Sequence, residues 1–129
     1  MKVNALDHIA INTVDIEESV CFYSEVMGFE ESKRIPNGDS VLVYMSINDS
    51  SAIELFDHEK AIGYFEQPDT ASGVGHIALS VSGIEAWNEH LKTHNVTFTV
   101  PLCSLEHLGK KVLLFKDPNG VVIELSEDL

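Results

Sequence analysis

Hydrophobic and polar residues follow a recognisable order along the first half of the chain. Apolar residues cluster over 3–14 as in a strand, and Ile16, Val20 and Tyr23 recur at helical spacing within residues 16–27. Short apolar segments separated by turn-rich sequence then follow, which is typical of strands. These segments are 29–35, 41–47 and 52–56. The first half therefore predicts the order strand, helix and three strands, or βαβββ.

The second half repeats this order. A strand is predicted over 75–81, followed by a helix carrying Trp87 and Leu91 that Asn95 can close. Three more strand segments come after the helix, at 96–100, 111–115 and 121–125. The chain of 129 residues has the length of one domain. We therefore expect a single domain over residues 1–129 made of two modules, about 3–62 and 73–127, with their boundary in 63–73.

Helix and turn signals support these elements. Asp15 and Glu18 form a capping-box pattern before the first helix, and Ser82 and Glu85 form a second one. Gly28 stands where a left-handed residue ends a helix. Asp117-Pro118-Asn119-Gly120 predicts a tight turn before the last strand, and 102–109 reads as a loop.

The repeat also places a histidine and a glutamate at matching points in both halves. Glu54 follows His8 by 46 residues, and Glu124 follows His76 by 48. Because strand residues point alternately to opposite faces, equivalent histidines should project the same way, and so should equivalent glutamates. If the modules pack about a pseudo-twofold axis, the four side chains converge. This arrangement favours a metal site.

The neighbours of the two glutamates support that interpretation. Glu54 and Glu124 are both flanked by apolar residues on predicted strands. A carboxylate on an inward strand face is costly to bury unless something compensates its charge, and a divalent cation does so. Singly, each residue has a plainer explanation: a hydrogen-bonded core histidine or a solvated glutamate. His90 and His94 are four residues apart on a predicted helix, a spacing that can place two metal ligands on one helix face, but the sequence shows no third ligand for them.

Composition and charge exclude several partners. With 8 basic and 21 acidic residues the net charge is −13, which repels nucleic acid and anionic membrane surfaces. No apolar run approaches the roughly 20 residues of a membrane span. The amino terminus lacks a secretory pattern and only two cysteines are present, so we expect a cytoplasmic protein with free thiols.

These motifs resemble the vicinal oxygen chelate superfamily, which includes glyoxalase I, methylmalonyl-CoA epimerase, extradiol dioxygenases, fosfomycin-resistance thiol transferases and bleomycin-resistance proteins. The resemblance covers nearly all of residues 3–126 and rests on four segments: 7–11, 22–29, 75–78 and 115–125. It implies an α+β fold in which two tandem βαβββ modules form an open, eight-stranded, barrel-like sheet. It also implies a homodimer, with the metal site built within one chain or between two.

Among family members, the set His8, Glu54, His76 and Glu124 is most similar to the ligands of glyoxalase I. The resemblance thus implies a lactoylglutathione lyase-like enzyme acting on a small-molecule thiol adduct of a 2-oxoaldehyde. It further implies a divalent metal (Ni, Zn, Co or Mn) that stabilises an enediolate, with Glu124 or Glu54 moving the proton. Iron would instead indicate a dioxygenase.

One position departs from the glyoxalase I pattern. Asn12 stands four residues after His8, where similar enzymes carry an arginine that helps to hold the glutathione carboxylate. An asparagine cannot supply a charged, bidentate contact. Another thiol adduct therefore stays possible, as do an epimerase, a dioxygenase, a thiol transferase and a binding protein without chemistry.

Overall fold

A computed structural model describes residues 1–58, 63, 68 and 70–129 of the chain. The chain divides into two compact units, Met1–Tyr64 and Phe65–Leu129. Within the described residues, each unit contains one four-stranded mixed sheet and a helix, in the order βαβββ. The two tandem βαβββ modules of the sequence analysis are thereby confirmed. The predicted boundary at 63–73 falls partly on residues outside the described ones.

The first unit has four strands in the spatial order β1-β4-β3-β2. The elements are β1 (His8–Thr13), α1 (Ile16–Cys21), β2 (Glu30–Asn37), β3 (Ser40–Asn48) and β4 (Ser51–Asp57). Strands β1 and β4 are parallel, whereas the other neighbours are antiparallel. Helix α1 packs against β4. The first strand is shorter than predicted, because it lies at the sheet edge and its partner β4 begins only at Ser51.

The second unit repeats this topology with the order β5-β8-β7-β6. Its elements are β5 (Ile77–Ser80), α2 (Ile84–Thr93), β6 (Thr97–Leu105), β7 (Lys110–Lys116) and β8 (Val122–Asp128). Strand β5 is parallel to β8, and α2 packs on β7 and β8. The predicted loop at 102–109 is mostly ordered secondary structure: β6 continues to Leu105 and a 3₁₀ turn spans Glu106–Leu108.

The two helices begin in different ways. Asp15 caps α1 as predicted, since its Oδ1 accepts a hydrogen bond from the Glu18 amide at 3.0 Å. The second capping box is wrong. Gly83 is the N-cap residue at φ 75°, and the Glu127 carboxylate accepts hydrogen bonds from the amides of Gly83 and Ile84. Glu127 of β8, distant in the sequence, therefore caps α2 in place of Ser82.

The predicted helix over 16–27 changes geometry midway. Its α-helical part ends at Cys21, and a π-helical turn follows over Phe22–Val26. The Ser24 hydroxyl donates to the Val20 carbonyl at 2.8 Å, a back-bonding contact associated with distortion of the helical ladder. Gly28 then adopts φ 71°, the left-handed conformation expected at this position.

Alternation along the strands separates a core face from a second face in each unit. In the first sheet Val43, Met45, Ile53 and Leu55 are almost completely buried, and their alternate neighbours project to the opposite side. In the second sheet Leu113, Phe115, Ile123 and Leu125 form the equivalent core. Because Glu54 and Glu124 each lie between two core residues, both carboxylates are directed to the face away from the core.

Candidate functional site

Two neighbouring strands position the first histidine–glutamate pair. Glu54 lies on β4 beside Ala10 of β1, and His8 begins β1 two residues earlier on the same face. The His8 Nε2 atom lies 3.4 Å from the Glu54 Oε2 atom. The backbone register of parallel β1 and β4 therefore brings together two residues far apart in the sequence.

The second unit builds the same pair. Glu124 of β8 lies beside Ala78 of β5, and His76 immediately precedes β5. The distance from His76 Nε2 to Glu124 Oε2 is 3.2 Å. The glutamate side chains are only 13% (Glu54) and 19% (Glu124) exposed, whereas the histidines are more open. Each carboxylate is thus largely withdrawn from water, with an imidazole as its close polar neighbour.

These distances suit two ligands of one metal ion. Nitrogen and oxygen atoms about 2.1 Å from a metal ion, at adjacent coordination positions, are about 3.0–3.4 Å apart. Both pairs fall in this range without rearrangement. Within neither unit do the described residues gather three or more His, Cys, Asp or Glu side chains into a metal-binding cluster. Each unit therefore holds one histidine–glutamate pair, and ligation of one metal ion by both pairs stays a prediction.

Asp7 orients the first histidine. Its Oδ2 atom lies 2.6 Å from His8 Nδ1, so a proton on Nδ1 leaves Nε2 with a lone pair directed towards Glu54. The hydrogen bond to Asp7 raises the pKa of His8 above its ordinary value, and the charge of Glu54 adds to this effect while burial opposes it. A carboxylate behind the imidazole is a common support for a metal-ligating histidine.

Tyr44 distinguishes the two glutamates. It lies directly opposite Glu54 on β3, and its hydroxyl donates a hydrogen bond of 2.6 Å to Glu54 Oε1. This hydrogen bond raises the pKa of Tyr44. Leu114 occupies the corresponding position opposite Glu124. One carboxylate is therefore held by a hydroxyl, whereas its counterpart faces an aliphatic side chain.

The second unit also contains a cavity of about 480 Å³ bordered by His76. Its wall includes Thr99 and Val100 of β6, Leu114 and Lys116 of β7, and Val122 of β8. The cavity therefore contacts the histidine of the second pair and combines aliphatic surface with one ammonium group.

The other residues singled out from the sequence are not part of the two histidine–glutamate pairs. Asn12 is an exposed residue of β1, on the same strand face as His8. His90 and His94 have ring centroids 4.6 Å apart on and just after α2, and no third ligand joins them among the described residues. The sequence patterns did not indicate a functional role for Tyr44 or Lys116. Strand alternation indicates the side of the sheet on which they lie, but only the register pairs Tyr44 with Glu54.

Comparisons with known proteins agree with this architecture. The chain belongs to the Glyoxalase/Bleomycin resistance protein/Dioxygenase superfamily, whose family model matches residues 5–125. It is 32% identical to the protein YaeR of Escherichia coli (strain K12) over 129 residues, covering 98% of each chain. It is 28% identical to human mitochondrial methylmalonyl-CoA epimerase over 133 residues, which covers 98% of this chain and 75% of the epimerase.

A solved structure shows the same fold. The crystal structure of a glyoxalase family protein from Enterococcus faecalis aligns with a TM-score of 0.80 and 27% identity, covering 95% of this chain and 97% of that one. Members of this superfamily include enzymes of several reaction types. None of the helices in the described part of the chain has the length and apolar character needed to cross a membrane.

Proposed function

We propose that this protein is a metal-dependent enzyme that moves a proton at a carbon next to a carbonyl group, as a glyoxalase I-like lyase does. The observation that carries the proposal is the repeated histidine–glutamate pair, with nitrogen-to-oxygen distances of 3.4 and 3.2 Å. A structural ion pair has no need to occur at equivalent places in both units. A metal ion that is shared by the two units does require such a repeat, because the ion then takes two donor atoms from each unit.

The ligands would be His8, Glu54, His76 and Glu124. Two imidazole nitrogens and two carboxylate oxygens suit Ni²⁺, Zn²⁺, Co²⁺ or Mn²⁺, and the two pairs would meet within one domain or across a homodimer. A bound divalent cation of this kind polarises a carbonyl oxygen and stabilises negative charge that develops there. The substrate is then a small molecule with adjacent oxygen atoms.

Glu124 is the better candidate for the base. Its carboxylate has no tyrosine opposite it, whereas Tyr44 holds one oxygen of Glu54 by a charged hydrogen bond. Glu124 would remove the proton from the carbon beside the carbonyl while the bonding electron pair moves towards the carbonyl oxygen. Returning that proton to the former carbonyl carbon, together with transfer of the hydroxyl proton from the oxygen on the first carbon to the oxygen on the second, completes an isomerisation and regenerates the glutamate.

An epimerase is the second candidate. The human relative is a methylmalonyl-CoA epimerase, and Asn12 stands where a glutathione-binding arginine would be expected. Epimerisation uses the same proton removal, but a second proton donor then protonates the same carbon from the opposite face while Glu124 keeps the first proton. The two candidates therefore share the site and differ in the substrate.

Elemental analysis of the purified protein, combined with matched variants, tests the proposal. We expect near-stoichiometric Ni, Co, Zn or Mn in the wild type and a loss of metal in His8→Ala. Glu124→Gln should retain metal but lose turnover of the methylglyoxal–glutathione adduct, whereas Glu54→Gln should mainly weaken metal binding. Glu89→Gln, an exposed change on α2, is the control.

Each outcome of this experiment has a distinct meaning. Bound metal with turnover of methylmalonyl-CoA instead of the adduct selects the epimerase. Iron with oxygen consumption on a catechol would contradict proton transfer and indicate a dioxygenase. Wild-type protein without metal, or His8→Ala that binds metal as tightly as wild type, would refute the proposed site.

A further inference from the structure

We propose that Lys116 binds an anionic group of the substrate within the cavity of the second unit. This inference rests on the proposed function and deepens it, because it assigns the substrate a class. That class is a small carbonyl compound with a carboxylate or phosphate close to the reacting carbon.

Strand register places Lys116 close to the candidate base. Lys116 of β7 lies opposite Val122 of β8, and Leu114 lies opposite Glu124. Because Val122 and Glu124 are two residues apart on β8, Lys116 is the diagonal neighbour of Glu124 on the same face. Such neighbours have backbone separations of about 7–8 Å, within reach of a long side chain. A substrate in contact with Glu124 would therefore extend easily to the ammonium.

The composition of the cavity wall indicates what the ammonium contacts. Val100, Leu114 and Val122 supply aliphatic surface, and Lys116 contributes a positive charge to the cavity that His76 also lines. Thr99 adds a hydroxyl to the wall. Polar groups placed among apolar surface are what fix the orientation of a small ligand.

Lys116 differs from the other basic side chains near it. Lys110 pairs with Asp128, and Lys111 pairs with Glu85. No carboxylate lies within ion-pair distance of Lys116 in the part of the chain that the structure describes, although Glu124 is its diagonal neighbour. The Glu124 carboxylate is instead 3.2 Å from His76. Among the described residues, the ammonium is thus left without a carboxylate partner on the cavity side.

The charge of the whole chain makes a local cation necessary. A net charge of −13 repels an anion at long range, so an anionic substrate needs a short-range contact to offset that repulsion. A charge-assisted hydrogen bond from Lys116 provides such a contact. It would also orient the substrate so that its carbonyl, rather than its anionic end, faces the glutamate.

The test compares three metal-binding probes by isothermal titration calorimetry on the Co²⁺-loaded protein. Acetohydroxamate is neutral beyond its chelating group, whereas the monohydroxamate of succinic acid adds a carboxylate and phosphonoacetohydroxamate adds a phosphonate. For the wild type we expect at least one anionic probe to bind about tenfold more tightly than acetohydroxamate, a difference of about 1.4 kcal/mol. The probe with the larger preference distinguishes a carboxylate from a phosphate substrate.

Three variants make the result specific to Lys116. Lys116→Gln should abolish the preference for the anionic probes while acetohydroxamate affinity stays within about twofold, which also shows that the protein is folded. Lys116→Arg should retain much of the preference because the charge remains. Lys92→Gln removes the same charge from the surface of α2, where the ammonium pairs with Glu89, and should behave like the wild type.

Failure of the inference can be distinguished from failure of the proposed function. If metal and acetohydroxamate bind normally but neither anionic probe binds more tightly, only the role of Lys116 is refuted. An undiminished preference in Lys116→Gln refutes it as well. If the protein holds no metal and binds none of the probes, the proposed function and this inference both fail.

Discussion

Replacing Tyr44 by phenylalanine isolates one hydroxyl at the candidate site. The Tyr44 hydroxyl donates to Glu54 Oε1 at 2.6 Å, the short distance typical of a hydrogen bond to a charged acceptor. The ring should stay in place, because it packs in a T-shaped arrangement with the His8 imidazole and its centroid lies 5.7 Å from Lys33 Nζ. Tyr44→Phe therefore removes the support of Glu54 and leaves the surrounding packing largely unchanged.

The size of the effect follows from the surroundings of Glu54. Its side chain is 13% exposed, so water replaces the lost donor poorly. Hydrogen bonds to charged groups contribute about 1.5–3 kcal/mol, and loss of a residue that orients a metal ligand typically weakens metal binding about 10–100-fold. A 10–100-fold change corresponds to about 1.4–2.7 kcal/mol, so the two estimates agree. We expect Tyr44→Phe to raise the Kd for Zn²⁺ by this factor.

Competition with a chelating dye measures that Kd directly. Ser32→Ala is the matched control, since the Ser32 hydroxyl donates to the Tyr44 carbonyl at 3.2 Å and does not touch Glu54. Its Kd should stay within about twofold of wild type. A Tyr44→Phe protein that is folded and binds Zn²⁺ as tightly as wild type would refute the claim that the hydroxyl supports a metal ligand.

Two further predictions concern stability. The Arg34 guanidinium donates to Glu17 of α1 and Glu31 of β2, and its hydrogen bond lowers the pKa of Glu31. Arg34→Gln should reduce the free energy of unfolding by about 0.2–1 kcal/mol at pH 7, the range for exposed pairs. Because the pKa of Glu31 is lower in the folded protein, this ion pair stabilises the fold at pH values above the unfolded-state pKa of about 4.3. The difference in unfolding free energy between wild type and Arg34→Gln should therefore shrink as the pH falls below about 4. Urea titrations in which that difference stays constant or grows at low pH would contradict this pairing. Leu55→Ala should reduce the free energy of unfolding by about 2–5 kcal/mol because Leu55 is completely buried, whereas Leu108→Ala, at a residue 60% exposed, should change it by less than about 0.5 kcal/mol. Equal urea midpoints for these two variants would show that Leu55 is not a core residue.

Several elements were predictable because their signals are local. Asp15 caps α1 through the amide of Glu18, and Gly28 adopts the expected left-handed conformation. The turn at 117–120 also forms: Asp117 Oδ1 accepts from the amides of Asn119 and Val121 at 2.8 Å each. These contacts join residues at most four positions apart, so neighbouring residues carry the information.

Errors arose where distant strands supply the contact. The Ser82 cap failed because Glu127, more than 40 residues later, reaches the amides of Gly83 and Ile84. The first strand begins only at His8, because parallel β4 offers no partner before Ser51. A local pattern cannot indicate which distant group will satisfy a backbone donor, or where a neighbouring strand begins.

The sequence by itself determined the repeated βαβββ order and the four candidate ligands, since strand period and repeat spacing are properties of the linear chain. Tertiary structure decided the pairing of His8 with Glu54 and of His76 with Glu124, which depends on parallel register between strands far apart in sequence. It also decided the difference between the halves, with Tyr44 opposite one glutamate and Leu114 opposite the other. The physical reason is that cross-strand neighbours are fixed by hydrogen-bond register, which a one-residue slip would change completely.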